Sequence, residues 1–427
     1  MKKKTLLLVT ALALTASAFA QNAPTLQWYG FFRSFYTVDS RESKSGTAEQ
    51  FYWVPLDRNM VGGTDLNEHT TTKFSSLTSR LGLNVTGYQY EGLKVGGKFE
   101  ADFYSGLTGV TGTATFRLRQ AYISLDWTRQ ETAYAMKIGQ TWHPMAADMP
   151  DIFDLETGVP FGPFSRTPQV QFESKTGHFT LTAAALWQMQ FTSTGPEGAS
   201  ANYIKYGNTP EIYLGLSYTD GPFIARAGVD VLSIKPRFKN ATGLVRDRIT
   251  TMSPFLYLQY KKDLFTAKLK TTLSEAGEHM HMIGGYGVSD KSDAANWQYT
   301  PTRTSATWLS LSYGSKLQGV FFAGYAKNLG TKDALVADIP GYAAVANNFL
   351  AKNTYANLTE VYRVEPALIY NLGKLQFGVE LQMTSAHYGD YLTVAGVNYV
   401  PASNGLVTEN MRWVTNYRLL GLAKFTF

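Results

Sequence analysis

Four carboxylates within residues 143–167 are spaced closely enough to act together on a charged solute. The four are Asp148, Asp151, Asp154 and Glu156. No Lys or Arg follows them until Arg166, and four prolines in the same segment stiffen its backbone. If such a segment faces cations across a water-filled opening, the field between them selects solutes by charge and orients their dipoles. We predict that residues 143–167 form a constriction loop folded into a pore; the alternative is an ordinary solvated loop.

The cations that would face this loop lie in segments that read as strands or at strand ends. We expect eight basic residues to line the opening: Arg33, Arg80, Lys94, Lys98, Lys137, Arg226, Lys268 and Lys270. The alternative is that they are scattered over the pore wall without a common role.

The sequence shows no residue pattern typical of a metal site or of a catalytic site. His279 and His281 share one face of an extended segment, but no Cys or carboxylate stands near them at metal-ligand spacing, so we expect a plain loop and no metal. His178 has no Ser placed to meet it, so nucleophilic catalysis is not indicated and we expect neither an enzyme nor a cofactor. The net charge of +6 falls to +3 without the three lysines of the N-terminal segment, which is too small to argue for nucleic-acid binding.

The elements that must hold these residues alternate in polarity along the chain. In residues 93–103, 178–191 and 374–384 apolar residues occupy alternate positions, and most residues between them are polar or charged. A membrane β-barrel requires this pattern, because one face of each strand meets lipid and the other can meet water.

Connections between about sixteen such segments alternate between very short and long. The short ones are 90–92, 129–131, 175–177, 220–221, 262–263, 315–316 and 372–373. This alternation predicts an all-β, antiparallel transmembrane barrel with short periplasmic turns and long extracellular loops. About sixteen strands leave an aqueous channel, whereas eight would be filled by side chains.

The first twenty residues carry the features of a secretory signal. Lys2, Lys3 and Lys4 precede an apolar run that ends in Ala18-Phe19-Ala20, so we expect cleavage before Gln21 and a single barrel domain over 21–427. Three lysines belong to this segment, which leaves a charge of +3.

Cysteine is absent, so a disulfide-stapled fold and a lipoprotein anchor are both excluded. The last residue, Phe427, is expected to be read by the barrel-assembly machinery of a bacterial outer membrane.

One strand does not fit the alternation. Ala121, Ile123 and Leu125 are predicted to face lipid, yet Arg117 and Arg119 share their parity. Either a β-bulge resets the register above Ala121, or both arginines lie beyond the bilayer at the mouth.

The stretch from Ser79 to Trp142 resembles the DcaP-like family of trimeric outer-membrane porins. Four segments carry the resemblance, and Arg166-Thr167-Pro168-Gln169 is also similar: Ser79–Leu83, Gly96–Phe103, Phe116–Tyr122 and Ile138–Trp142. The resemblance implies a sixteen-stranded homotrimer that passes small anionic solutes, dicarboxylates among them. It also implies that the matched positions line the channel: Arg80, Lys98, Glu100, Asp102, Arg117, Arg119 and Gln140. We add Arg166 to the basic residues expected to line it.

We therefore expect an outer-membrane porin, in contact with outer-membrane lipid, that allows passive diffusion of small hydrophilic solutes and favours small anions. The alternative is a surface receptor or adhesin barrel with a plugged lumen, suggested by the long loops at 37–76, 275–304 and 328–357. A barrel hydrolase is less favoured, because no Ser–His arrangement supports it.

Overall fold

The structure is a computed structural model that describes residues 23–46, 50–104, 114–155, 157–188, 192–207, 209–349 and 356–427. The predicted signal segment, residues 1–20, lies outside these ranges. Sixteen long antiparallel strands form one sheet, and the last strand pairs with the first, so the sheet closes into a barrel. The prediction of a sixteen-stranded barrel is confirmed.

The barrel strands follow one another in chain order, and β2 is interrupted by four residues. Their bounds are β1 Thr25–Asp39, β2 Thr71–Ser75 with Arg80–Tyr90, β3 Leu93–Tyr104, β4 Thr115–Arg129, β5 Thr132–Trp142, β6 Arg166–Thr176, β7 Phe179–Leu186, β8 Glu211–Asp220, β9 Phe223–Ile234, β10 Ile249–Lys262, β11 Phe265–Glu275, β12 Gln298–Gly314, β13 Leu317–Thr331, β14 Leu358–Leu372, β15 Leu375–Asp390 and β16 Glu409–Thr426.

Short elements occupy the connections. The short strands are Ser43–Gly46, Phe51–Pro55, Met60–Val61, Thr64–Asp65, Ser193–Gly195, Gly198–Ser200, Lys239–Asn240, Gly243–Leu244, Tyr286–Asp290, Tyr342–Ala344, Leu392–Val394 and Val397–Pro401. One α-helical turn spans Asn202–Lys205, and 3₁₀ turns span Pro144–Ala146, Gly277–Met280 and Val345–Asn347. Among the described residues no helix has the length and apolar character needed to cross a bilayer.

All seven predicted short connections are two-residue turns at one end of the barrel. They join β2 to β3, β4 to β5, β6 to β7, β8 to β9, β10 to β11, β12 to β13 and β14 to β15. In the first of them Glu91 and Gly92 both have positive φ, as a type I′ hairpin turn requires. Because these turns join alternate pairs of antiparallel strands, the long connections lie at the opposite end.

The two faces of the strands divide as the alternation predicts, and β15 illustrates this. Val379 and Leu381 are 52% and 53% exposed on the outside, whereas Glu380 and Gln382 are buried toward the lumen. An isolated barrel exposes this apolar set because lipid, not protein, covers it in a membrane.

A β-bulge in β4 resolves the irregular strand. Glu100 pairs with Gln120, but its neighbour Ala101 pairs with Leu118, so Arg119 is the extra residue. Above the bulge Leu118 is 44% exposed on the outer face, and Arg117 and Arg119 turn inward. The first of the two alternatives from the sequence is therefore correct.

The connection between β5 and β6, here called the acidic loop (residues 143–165), folds into the barrel as predicted. Its main chain reaches the far wall: Val159 accepts a hydrogen bond from Arg363 of β14 at 3.0 Å. Phe161 packs against Phe322 of β13 with ring centroids 6.0 Å apart. The loop is two residues shorter than predicted, because Arg166 and Thr167 already belong to β6.

The connection between β1 and β2, here called the first loop (residues 40–70), also sends a segment into the lumen. Tyr52, Trp53 and Val54 are buried. Trp53 accepts a hydrogen bond from Arg363 at 2.7 Å, and the guanidinium groups of Arg363 and Arg418 lie over the Tyr52 ring. Within this long connection the apolar run Phe51–Val54 is buried against the barrel wall.

A candidate charged constriction

The carboxylates of the acidic loop bind the barrel wall. Asp148 accepts a hydrogen bond from Arg226 of β9 at 2.6 Å. Asp151 pairs with Lys268 of β11 and accepts from the Ser312 hydroxyl of β12 at 3.1 Å. These contacts attach the first part of the loop to β9, β11 and β12.

Asp154 continues this attachment on the far side of the barrel. Its carboxylate accepts from Gln382 of β15 and lies 3.5 Å from Arg418 of β16. The neighbouring Phe153 amide donates to Glu380 at 3.2 Å. The three described acidic residues therefore anchor the loop as well as contributing charge. Glu156, the fourth, lies outside the described residues.

An arginine cluster built from β2, β3 and β4 lies inside the barrel. Arg117 donates two hydrogen bonds to Asp102, at 2.8 and 3.0 Å. Arg119 binds Glu100 at 2.9 Å and Asp102 at 2.7 Å, and Arg80 lies 3.5 Å from Glu100. Three cations thus share two carboxylates, which leaves positive charge in excess.

Arg33 of β1 and Arg166 of β6 extend this cluster along an aromatic surface. The Arg33 guanidinium lies 4.9 Å from the ring centres of both Phe31 and Phe35 and donates to Thr78 at 3.1 Å. The Arg166 guanidinium lies 4.9 Å from the Trp142 ring. Within the described part of the chain, Arg33 Nη2 and Arg80 Nε donate no hydrogen bond. Buried donors of this kind offer a binding site for an anionic oxygen.

A cavity of about 590 Å³ lies between the acidic loop and this cluster. Seven of its lining residues are cations: Arg33, Lys44, Arg80, Arg117, Arg119, Arg166 and Lys424. Three are carboxylates: Asp102, Asp151 and Asp154. His281 also lines it, and burial together with nearby Lys44 lowers the pKa of this imidazole to about 3, so it is neutral at physiological pH. The cavity is therefore strongly electropositive.

The remaining predicted lining residues fall into several places. Lys98 lies over the Tyr29 ring, 5.1 Å from its centre, and Lys270 is buried and donates to the Met145 carbonyl. Lys94 is exposed near the Glu91–Gly92 turn, where it pairs in register with Asp126 of β4. Lys137 pairs with Ser124 and Gln171 in the middle of β5. The structure does not bring these four lysines together around the cavity.

Gln140 has a different place from the predicted one. Its amide donates to the carbonyls of Leu118 and Arg119, at 3.2 and 3.3 Å, beside the β4 bulge. An extra residue in one strand leaves main-chain groups without ladder partners, and the Gln140 side chain satisfies two of them. Gln140 is not among the residues that line the cavity between the acidic loop and the arginine cluster.

Sequence reasoning missed two groups that shape the cavity. Trp53 and Phe51 of the first loop form part of its wall, and Arg363 and Arg418 hold both inserted loops from β14 and β16. The apolar run Phe51–Val54 within a long connection was the signal that could have identified the first loop.

A closed sixteen-stranded antiparallel barrel with a loop folded into a charged lumen is the fold of outer-membrane porins. The chain is similar to the crystal structure of the outer membrane channel DcaP of Acinetobacter baumannii, with 18% identity and a TM-score of 0.66 over 95% of this chain and 98% of that chain. The predicted resemblance is confirmed at the level of the fold.

Two other solved structures share the fold. The anion-selective porin from Comamonas acidovorans is 11% identical, with a TM-score of 0.55 over 95% of this chain and 100% of that chain. OmpF of Salmonella typhi is 10% identical, with a TM-score of 0.51 over 94% and 97%. No protein-family model matches the chain, and no curated protein does.

Proposed function

We propose that this chain is a water-filled channel of the bacterial outer membrane, without enzymatic activity, through which small hydrophilic solutes diffuse and small anions are favoured. The observation that carries the proposal is the cavity in which seven cations face three carboxylates. Positive potential in a narrow aqueous passage raises the local concentration of anions and lowers that of cations. Dicarboxylates fit the proposal, because separate guanidinium groups can bind each carboxylate.

The proposed arrangement in the membrane follows from the two ends of the barrel. The two-residue turns face the periplasm and the long connections face outward, as in barrels of this kind. The exposed outer apolar residues contact lipid. We also propose a homotrimer. A solved structure of similar fold, the trimer form of OmpT of Vibrio cholerae, supports it. That structure is 12% identical, with a TM-score of 0.50 over 95% of this chain and 100% of that chain.

Conductance in planar lipid bilayers tests the channel. Purified protein should produce discrete current steps, and under a KCl gradient the reversal potential should have the sign of an anion-preferring pore. The steps should be small, because the first loop and the acidic loop both occupy the lumen. A barrel that inserts but passes no ions would favour the plugged receptor instead.

We expect the combined substitutions Asp148→Asn, Asp151→Asn, Asp154→Asn and Glu156→Gln to raise the permeability of anions over cations. They remove negative charge from the pore and release Arg226 and Lys268 from their ion pairs. Reversal potentials measure the ratio. The control removes four exposed carboxylates at the short turns: Glu91→Gln, Glu131→Gln, Asp220→Asn and Asp263→Asn. An unchanged ratio in the lumenal variant would show that these residues do not belong to a constriction.

We also propose that the barrel-assembly machinery reads Phe427. Phe427 is 39% exposed, and its ring packs on the Phe32 ring with centroids 5.5 Å apart. Phe427→Ser should slow conversion of the newly made chain to the heat-modifiable folded form in cells, as followed by pulse-chase electrophoresis. Phe425→Ser, at a neighbouring outer position, is the control. Equal rates for Phe427→Ser and the unmodified chain would contradict the proposal.

A further inference from the structure

Two histidines and two carboxylates meet in a buried cluster at the base of the acidic loop. His143 is the first residue after β5, Glu211 begins β8, Asp230 lies in β9, and His279 lies in the 3₁₀ turn after β11. The four residues are 0% or 1% exposed. They come from four separate parts of the chain, and none belongs to the cavity lining described above. Their function therefore requires its own explanation.

The separations between their polar atoms are those of ion pairs, and they are also short enough for these atoms to be ligands of one metal ion. His279 Nε2 lies 3.3 Å from Glu211 Oε1 and 3.9 Å from Asp230 Oδ2. His143 Nε2 lies 3.2 Å from Glu211 Oε1 and 3.4 Å from Asp230 Oδ1. Zinc bonds of about 2.0–2.1 Å in a tetrahedral site place neighbouring ligand atoms about 3.3 Å apart.

The hydrogen bonds of the two imidazoles assign them different roles. His279 Nδ1 lies 2.8 Å from the Ala276 carbonyl, so Nδ1 carries a proton and Nε2 can present a lone pair. His143 Nδ1 instead accepts from the Met145 amide at 3.1 Å, so its Nε2 carries the proton and donates toward the carboxylates. In these tautomers His279 Nε2 offers a lone pair toward Glu211 and Asp230, whereas His143 Nε2 donates a hydrogen bond toward the same carboxylates.

The cluster holds two buried carboxylates, so it binds one cation among these atoms, either a proton on His279 Nε2 or a metal ion. A lone pair of neutral His279 would face two buried carboxylates across 3.3 and 3.9 Å. Within the described residues, His279 Nε2 and Asp230 Oδ1 make no hydrogen bond, although both are buried. Burying charged groups without compensation is costly, and a cation among these atoms would remove the cost.

We propose that His279 Nε2, Glu211 and Asp230 bind a divalent transition-metal ion of the zinc type. One imidazole and two carboxylates suit such an ion, whereas Ca²⁺ and Mg²⁺ prefer oxygen ligands alone. The outer contacts fit as well: Gln188 donates to Glu211 Oε2 at 3.3 Å and accepts from the Ser165 hydroxyl at 2.8 Å. Hydrogen bonds of this kind orient metal-bound carboxylates.

No local sequence pattern indicates this cluster, because its members lie far apart in the chain. The pair His279–His281 does not converge, because His281 stacks on Trp53 with ring centroids 4.6 Å apart. The partners of His279 come from β8 and β9, 68 and 49 positions away in the chain. A bound ion would join the base of the acidic loop, through His143, to the wall and to the turn at 277–280.

The test uses the full-length mature protein without a histidine tag, purified in detergent, treated with EDTA and equilibrated with Zn²⁺. After gel filtration, metal analysis should find about one zinc per chain, as a mononuclear site requires. His279→Ala should abolish this uptake. His143→Ala should weaken affinity about 10–100-fold without abolishing it, which is the effect of losing an outer-shell partner.

The matched control is His178→Ala, an exposed histidine beside a short turn, which should bind zinc as the unmodified protein does. Electrophoresis of unheated samples checks that each variant is folded. If His279→Ala does not fold, the visible spectrum of Co²⁺ bound to the unmodified protein provides a second measurement, and tetrahedral bands are expected. Absence of stoichiometric zinc in the unmodified protein, a Co²⁺ spectrum of the hydrated ion, or equal uptake by folded His279→Ala would overturn the proposal.

Discussion

Replacing Arg33, Arg80 and Arg166 together with glutamine should lower the permeability of anions relative to cations by up to about tenfold. A unit charge about 8 Å from a permeating ion contributes about 0.5 kcal/mol in water-like surroundings, so three contribute about 1.5 kcal/mol. All three guanidinium groups line the cavity, and Arg33 and Arg80 keep donors without hydrogen-bond partners among the described residues. Reversal potentials at low ionic strength measure the change, because salt screens it.

The matched control removes three lysines that lie outside the cavity: Lys94→Gln, Lys175→Gln and Lys262→Gln. Net charge changes equally in both variants, so only the position of the charge differs. If the control shifts the reversal potential as much as the arginine variant does, selectivity reflects the overall charge of the protein and not the cavity. Arg117 and Arg119 are left intact because removing them would leave Asp102 and Glu100 buried without their partners.

Arg363→Met should cause the largest loss of stability among single substitutions in the lumen. Arg363 is fully buried and donates to Trp53 of the first loop, Val159 of the acidic loop and Thr384 of β15. Glu365 lies 3.4 Å away and would lose this cation. Removing one partner of a buried ion pair costs about 3–5 kcal/mol, and two loop carbonyls lose a donor as well.

The measurement is the temperature at which the folded band disappears in electrophoresis of briefly heated samples, which should fall for Arg363→Met. Open-channel current should also become noisier, because both inserted loops lose a common attachment. Arg129→Met, an exposed arginine at a short turn, is the control. Arg363→Met with Glu365→Gln should recover part of the loss, because the carboxylate no longer needs a partner. A thermal transition unchanged by Arg363→Met would show that other contacts hold the loops.

The barrel could be predicted from the sequence because lipid and turn geometry impose local patterns. Lipid requires an apolar residue at every second position of a strand, as at Val379 and Leu381, and a two-residue hairpin needs turn residues that tolerate positive φ, as at Glu91 and Gly92. The irregularity at Arg117 and Arg119 was also visible, but parity alone could not distinguish a bulge from the end of the bilayer.

The interior could not be predicted in the same way because its contacts join residues far apart in the chain. Trp53 and Arg363 are separated by 310 positions, and no local spacing reports their hydrogen bond. The acidic loop was recognised by composition, yet the anchoring role of Asp148, Asp151 and Asp154 depends on partners in β9, β11 and β16. The same reason hid the meeting of His279 with Glu211 and Asp230.

The shared attachment at Arg363 has a consequence for how the passage responds to force or to a passing solute. One guanidinium holds main-chain carbonyls from two separate inserts, at 2.7 and 3.0 Å. A displacement of either insert therefore pulls on the other through a planar, stiff group. We therefore expect the acidic loop and the first loop to move together when the width of the aperture changes.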